Sequence, residues 1–140
     1  MVRTKFCVFF ILMSACVLAQ TITLHVTGIR SNSGSIRIQF FDTKKNFDDE
    51  KPLFTKTAPK MSMNGGALIV SYAVKPGTYG IAILDDENNN QKMDYGLLLP
   101  KEGFGFSDYY HTGMSQPDFR KFSFVMGNAS KTVFIKLRYL

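Results

Sequence analysis

The sequence predicts an all-β fold: a single antiparallel β-sandwich, immunoglobulin-like or transthyretin-like, at residues 20–140 behind an N-terminal signal peptide at 1–19. Three observations carry this expectation. Apolar residues alternate with polar ones over short windows, the two-residue period of half-buried strands. Clusters of Gly, Pro, Asn and Ser separate those windows. No window shows the spacing of a long amphipathic helix.

The N-terminus comes first. Arg3 and Lys5 precede an almost unbroken apolar run at 6–18, which ends at Val17, Leu18 and Ala19. The run is too short to span a bilayer. With small residues before Gln20 it reads as a secretory leader cleaved after Ala19. A retained membrane anchor is the competing reading. A lipoprotein signal is another, because Met13, Ser14, Ala15 and Cys16 resemble a lipobox. The expected localisation is secreted or periplasmic, with lipid anchoring at Cys16 as the alternative.

Both cysteines, Cys7 and Cys16, fall in the leader. The mature chain then has no disulfide, thiolate nucleophile or Cys-ligated zinc. Loss of Arg3 and Lys5 lowers the formal charge from +6 to about +4. Its lysines and arginines are scattered, without the aromatic interleaving of a nucleic-acid surface, so no nucleic-acid partner is expected. The mature length is that of one domain, with no transmembrane segment, and is expected to be monomeric.

The strands follow in order. Ile22, Leu24 and Val26 alternate with Thr23 and His25; Ile36, Ile38 and Phe40 alternate with Arg37 and Gln39. Residues 67–74 form a continuous β-rich run, and Tyr79, Ile81 and Ile83 alternate again. Residues 122–124 and 133–139 complete the set, and short helical turns fit 42–47 and 117–120. Turn signals lie at 31–34, 64–66, 75–77 and 127–128. Tyr79 follows a tight Lys-Pro-Gly turn, where its hydroxyl can bond back across a tyrosine corner.

The most informative stretch is 85–106, DDENNNQKMDYGLLLPKEGFGF. Oxygen-bearing side chains crowd its first half at Asp85, Asp86, Glu87, Asn88, Asn90 and Asp94. With Asp86 as position 1 of a Ca²⁺ loop, Asn88, Asn90, Lys92 (through its carbonyl) and Asp94 take positions 3, 5, 7 and 9. Position 6 is Gln91 where glycine is usual, and position 12 is Leu97 where a bidentate Glu is usual. Glu102 or Asp108 would have to fold back as the missing ligand. The competing reading is an Asx-rich turn whose side chains bond their own backbone.

This stretch resembles the signature of domain-of-unknown-function family 2141, small secreted bacterial proteins. Its pattern is matched by Asp86, Glu87, Asn88, Asn90, Lys92, Asp94, Pro100, Glu102, Gly103, Gly105, Phe106 and Ser107. Gly34, Ile36, Leu137 and Tyr139 extend the likeness over essentially the whole mature chain. The departures are Asp85, where the family often has His, and Asn89 and Gln91, where glycines are common. The resemblance implies a secreted β-sandwich and no assigned activity.

Phe104, Phe106, Tyr109 and Tyr110 are candidate ligand contacts, since aromatic faces suit sugars or extended peptides. Alternatively the phenylalanines plug the end of the sandwich. Ser107, Asp108 and His111 carry neither a nucleophile elbow nor an oxyanion-hole motif, and Asp48, Asp49 and Glu50 read as a solvated loop. The expected function is therefore a non-catalytic binding or structural module of the cell envelope, with Ca²⁺ as its one candidate cofactor. Its partner would be a glycan, a peptide or an envelope protein. The alternative is a small extracytoplasmic hydrolase using the loop carboxylates Asp86 and Glu102.

Overall fold

The computed structural model describes residues 19–140; residues 1–18 of the expected signal peptide, with Cys7 and Cys16, lie outside the described residues. The elements run β1 (Gln20–Thr27), β2 (Ser35–Phe41), α1 (Lys44–Asp48), β3 (Phe54–Pro59), β4 (Leu68–Val74), β5 (Gly77–Asp86), β6 (Phe104–Phe106), β7 (Ser123–Met126) and β8 (Lys131–Lys136). Short 3-10 turns occupy Lys60–Ser62 and Phe119–Lys121.

Two sheets pack face to face. One has the order β4-β1-β8 and the other β3-β2-β5-β6, with β7 also paired to β5. The sandwich is mostly antiparallel, as the alternation predicts. The exception is β1 with β8, which run parallel from Ile22 opposite Lys131 to Thr27 opposite Lys136. On β5, Gly80 pairs with Phe41 of β2 on one edge and Ser123 of β7 on the other.

The period-2 residues face each other across the sandwich. Ile22, Leu24, Val26, Val133 and Ile135 of one sheet meet Ile36, Ile38, Phe40, Ile81 and Ile83 of the other, all buried. Each such side chain stabilises the fold by roughly 1.5–3 kcal/mol. Phe41 follows Phe40 and so projects to the opposite face. There it joins Phe47, Phe106, Phe119 and Phe122 in a second buried cluster, with the Phe47 and Phe122 rings 4.9 Å apart. Phe47 reaches it from α1, whose first turn is capped by Thr43 accepting from Asn46 N at 3.1 Å.

Two elements differ from the sequence reading. β3 was not expected, because Lys56 and Pro59 interrupt its pattern. It is an edge strand beside β2, where charge and proline are tolerated. β6 lies in what reads as a loop. Its Phe104 also exchanges backbone hydrogen bonds with Arg138 at 3.0 and 2.8 Å, tying the end of β5's sheet to the chain leaving β8. The tyrosine corner is present: Tyr79 is buried and its hydroxyl donates to Lys75 O at 2.8 Å.

Candidate functional site

The C-terminal end of β5 carries Asp85 and Asp86 side by side, and the pleat sends them to opposite faces. Asp85 points inward and is fully buried. It forms an ion pair with Lys60, whose side chain is equally buried and whose Nζ donates to Ser33 O at 2.6 Å. Tyr139 donates its hydroxyl to Asp85 Oδ2 at 2.6 Å. Asp85 Oδ1 is the oxygen that faces the Lys60 ammonium. Burial, reinforced by Asp85, raises the Tyr139 phenol well above its usual range. Gly103 lets that ring lie flat on the chain, since a Cβ there would stand 2.4 Å from Tyr139 Cε1. Asp85 is thus a core residue and not a loop oxygen.

Asp86 is also buried, but it serves the loop. Its Oδ1 accepts from Asn90 N at 3.0 Å and its Oδ2 from Gln91 N at 2.8 Å. Asn88 Oδ1 accepts from Asn90 N, and Asn90 Oδ1 from Lys92 N. The Asn88 and Asn90 amides both turn to the Asp94 carboxylate, at 2.5 Å and 2.9–3.0 Å. Asn89 and Gln91 both take left-handed backbone, with φ of 57° and 63°. Glycine is the residue suited to that conformation, and Asn tolerates it better than Gln. The sharp turn at position 6 of the Ca²⁺ pattern is therefore made here by Gln91.

Glu102 lies buried beneath this loop, its Oε1 accepting from Glu87 N at 3.1 Å and its Oε2 from Asp94 N at 3.2 Å. Burial raises its pKa, and the charges of Asp94 and Asp86 add to the rise. Its two oxygens hold the two ends of the loop together. Asp108, the other candidate for a missing ligand, is engaged elsewhere, accepting from Phe134 N at 2.8 Å and pairing with Lys131. Among the described residues no three His, Cys, Asp or Glu side chains gather as a metal cluster. The loop's own donor set is two carboxylates, Asp86 and Asp94, and two amides, Asn88 and Asn90.

Arg30 clamps the loop from the β1–β2 connection. It forms a fork with Glu87 at 3.0 and 2.7 Å, and Ser31 donates to the same carboxylate at 2.9 Å. The guanidinium lies 4.4 Å from the Tyr139 ring centroid and donates to Lys101 O at 3.0 Å. Ser35 adds a bond to Asn89 Oδ1 at 2.8 Å. The Arg30 fork lowers the Glu87 pKa from 4.5 to about 2.

A carboxyl with a lowered folded pKa adds stability above its unfolded pKa and loses it as pH falls toward the folded value. Glu87→Gln is therefore expected to remove about 1–2 kcal/mol at neutral pH, after solvent screening of the half-exposed Arg30. Its deficit should vanish between about pH 4.5 and 2. Urea titrations at several pH values check this; a deficit independent of pH would refute it. Glu102 acts with opposite sign, its contribution falling as pH rises through its raised pKa.

The aromatic candidates divide. Phe106 belongs to the second buried cluster and Phe104 is half-buried, so Phe106 plugs the fold and offers no platform. Tyr110 is exposed and Tyr109 half-buried, beside a shallow groove of about 330 Å³ with His25 and Phe134. Ser107 is fully buried, accepting from Ile81 N and donating to Phe122 O. His111 bonds Ser115 O at 2.6 Å, so no Ser-His-Asp arrangement exists there. The carboxylates at the end of α1 form i,i+4 pairs, Lys44 with Asp48 and Lys45 with Asp49, the C-cap residue.

Lys60, Arg30 and Ser31 were not legible as site residues. A lone Lys after Pro59 and an Arg in a Ser/Asn turn carry no spacing signal.

Fold and site together define a β-sandwich protein with an Asp/Asn loop held by buried acids. A family model described as "Uncharacterized protein conserved in bacteria", domain of unknown function 2141, matches residues 24–134. The chain belongs to that family. No curated protein and no solved structure matches it. No helix among the described residues is long and apolar enough to cross a membrane.

Proposed function

We propose that the protein is a non-catalytic extracytoplasmic module of the cell envelope, which presents the 87–101 loop and the neighbouring Tyr109 and Tyr110 to a glycan, peptide or envelope protein. One observation carries this reading. All four carboxylate oxygens of Asp86 and Glu102 are taken by backbone N–H groups of the loop. Those carboxyls are the acid–base pair that a hydrolase would need free. Spent on the backbone, they shape a surface.

Ca²⁺ belongs to the same reading as a structural ion of the loop. Asp86, through the lone pairs its two backbone bonds leave open, would join Asn88, Asn90 and Asp94 in supplying side-chain oxygens, and Lys92 would supply its carbonyl. Glu102 would brace the loop from below. A site with so few anionic ligands would bind with the weak affinity of extracellular modules, about 10⁻⁴–10⁻³ M.

Thermal unfolding of residues 20–140 in chelator, then in about 10 mM Ca²⁺ or Mg²⁺, tests the ion. At that affinity linkage gives about 1.5–3 kcal/mol of added stability with Ca²⁺. The rise should be absent in Asp86→Ala/Asp94→Ala. An equal melting temperature in chelator and Ca²⁺ would remove the ion and leave an Asx turn. Ester, glycoside and peptide substrates test the non-catalytic assignment. Turnover abolished by Glu102→Gln without loss of fold would replace it with the hydrolase.

A further inference from the structure

Between Asp94 and Glu102 the chain makes a closed turn that the fold leaves uncovered. Tyr95 bridges to Pro100, Gly96 N donates to Leu99 O at 2.7 Å, and Lys101 N donates to Asp94 O at 2.7 Å. At its tip Leu97 is 99% exposed and Leu98 87% exposed, with Leu99 and Tyr95 exposed beside them. Leucines at adjacent positions so fully in water call for an occupant.

We propose that this tip docks the protein on an anionic lipid surface. Three features favour lipid over a protein partner. The apolar area is a single projecting turn, far below what a stable protein–protein interface buries. Shallow insertion into the boundary between headgroups and acyl chains needs only a few such side chains.

Two cations flank the turn in sequence. Lys92 and Lys101 are exposed on either side of it, and neither has an ion-pair partner among the described residues. Lysines placed there meet lipid phosphates as the leucines enter. Of the acids nearby, Glu87 is ion-paired with Arg30, Glu102 is buried beneath the loop, and Asp94 accepts from the neutral Asn88 and Asn90 amides. Tyr95, at the base of the tip, has the amphipathic ring that settles at a membrane–water interface. The buried acids below hold the turn in place, so its presentation is built into the fold. This inference stands apart from Ca²⁺ binding and is tested in chelator.

Residues 20–140, which hold both sheets and both hydrophobic clusters, are mixed with vesicles of phosphatidylcholine alone or with about 30% phosphatidylglycerol, and bound protein is measured by flotation. The anionic vesicles should bind it about tenfold more tightly or better, and salt should weaken the binding. Leu97→Ser/Leu98→Ser should lower binding about tenfold with the melting temperature unchanged. Lys92→Gln/Lys101→Gln should reduce the anionic preference to the neutral level. No flotation of the parent protein, or equal flotation of the leucine variant, would overturn the proposal. A concentration-dependent dimer that the leucine variant abolishes, without vesicle binding, would assign the tip to a second copy and also overturn it.

Discussion

Asp85→Ala is expected to lower stability by about 3–5 kcal/mol, the range for breaking a buried ion pair by removing one partner. Lys60 and Asp85 have no exposed side-chain surface. Without the carboxylate, the Lys60 ammonium keeps only the Ser33 carbonyl among the described residues, and the Tyr139 hydroxyl loses its acceptor. At about 3–5 °C per kcal/mol for a domain of this size, melting should fall by roughly 10–20 °C.

The damage should also reach the loop. Tyr139 lies under Arg30, and Arg30 holds Glu87, so amide exchange at 87–91 should accelerate in the variant. Replacing both members by apolar residues of similar volume, Lys60→Met/Asp85→Leu, should recover most of the loss, because desolvation of two charges is removed along with their attraction. A single-variant cost under about 1 kcal/mol would show that water reaches the pair. A double variant as unstable as the single one would show that the hydrogen bonds, and not the charges, hold this end of the sandwich.

The parts of the fold legible in the sequence are those where one residue's burial is decided by its neighbours two positions away. Ile22, Leu24 and Val26 have this property, as do Ile36, Ile38 and Phe40, and all six are core. Tyr79 was legible for a local reason, a tight turn just before it, and its bond to Lys75 spans only four residues. β3 was hidden because an edge strand with an exposed face does not need the alternation. Phe106 was ambiguous because Gly105 beside it suits a loop as well as a strand, and only Phe41, Phe47, Phe119 and Phe122, far apart in sequence, decide that it is buried.

The same contrast governs the site. The Asx pattern Asp86, Asn88, Asn90, Asp94 is local and was readable as a shaped loop. What holds it is not local. Lys60 meets Asp85, Arg30 meets Glu87 and Tyr139 meets Asp85 across long stretches of chain. Asp85 was grouped with the loop oxygens because it adjoins Asp86. The pleat of β5 separates the two, sending one to the core and one to the loop.

Gly34→Ala should be about as damaging as loss of the buried pair, and its effect should centre on the loop. Gly34 has φ of +75°, a left-handed backbone that costs an alanine about 1–2 kcal/mol. Its Cβ would also stand 1.9 Å from Asp86 O and 2.6 Å from Glu87 Cα. Those are backbone atoms at the junction of β5 and the loop, and a rotamer change cannot move them. Overpacking of this kind adds about 1–3 kcal/mol, so the total is about 2–5 kcal/mol. Moving that junction would displace Ser33 and Ser35 from Lys60 and Asn89, two of the bonds by which the β1–β2 connection and the start of β2 hold the polar end of the sandwich. Any Ca²⁺-dependent rise in melting temperature should then disappear along with the stability. Gly65→Ala is the matched control: it too is left-handed, at φ +59°, but its Cβ would meet nothing within 4 Å. It should cost only the backbone term, about 1–2 kcal/mol. If the two variants melt together, close approach of the two chains at Asp86 is not what requires glycine at position 34.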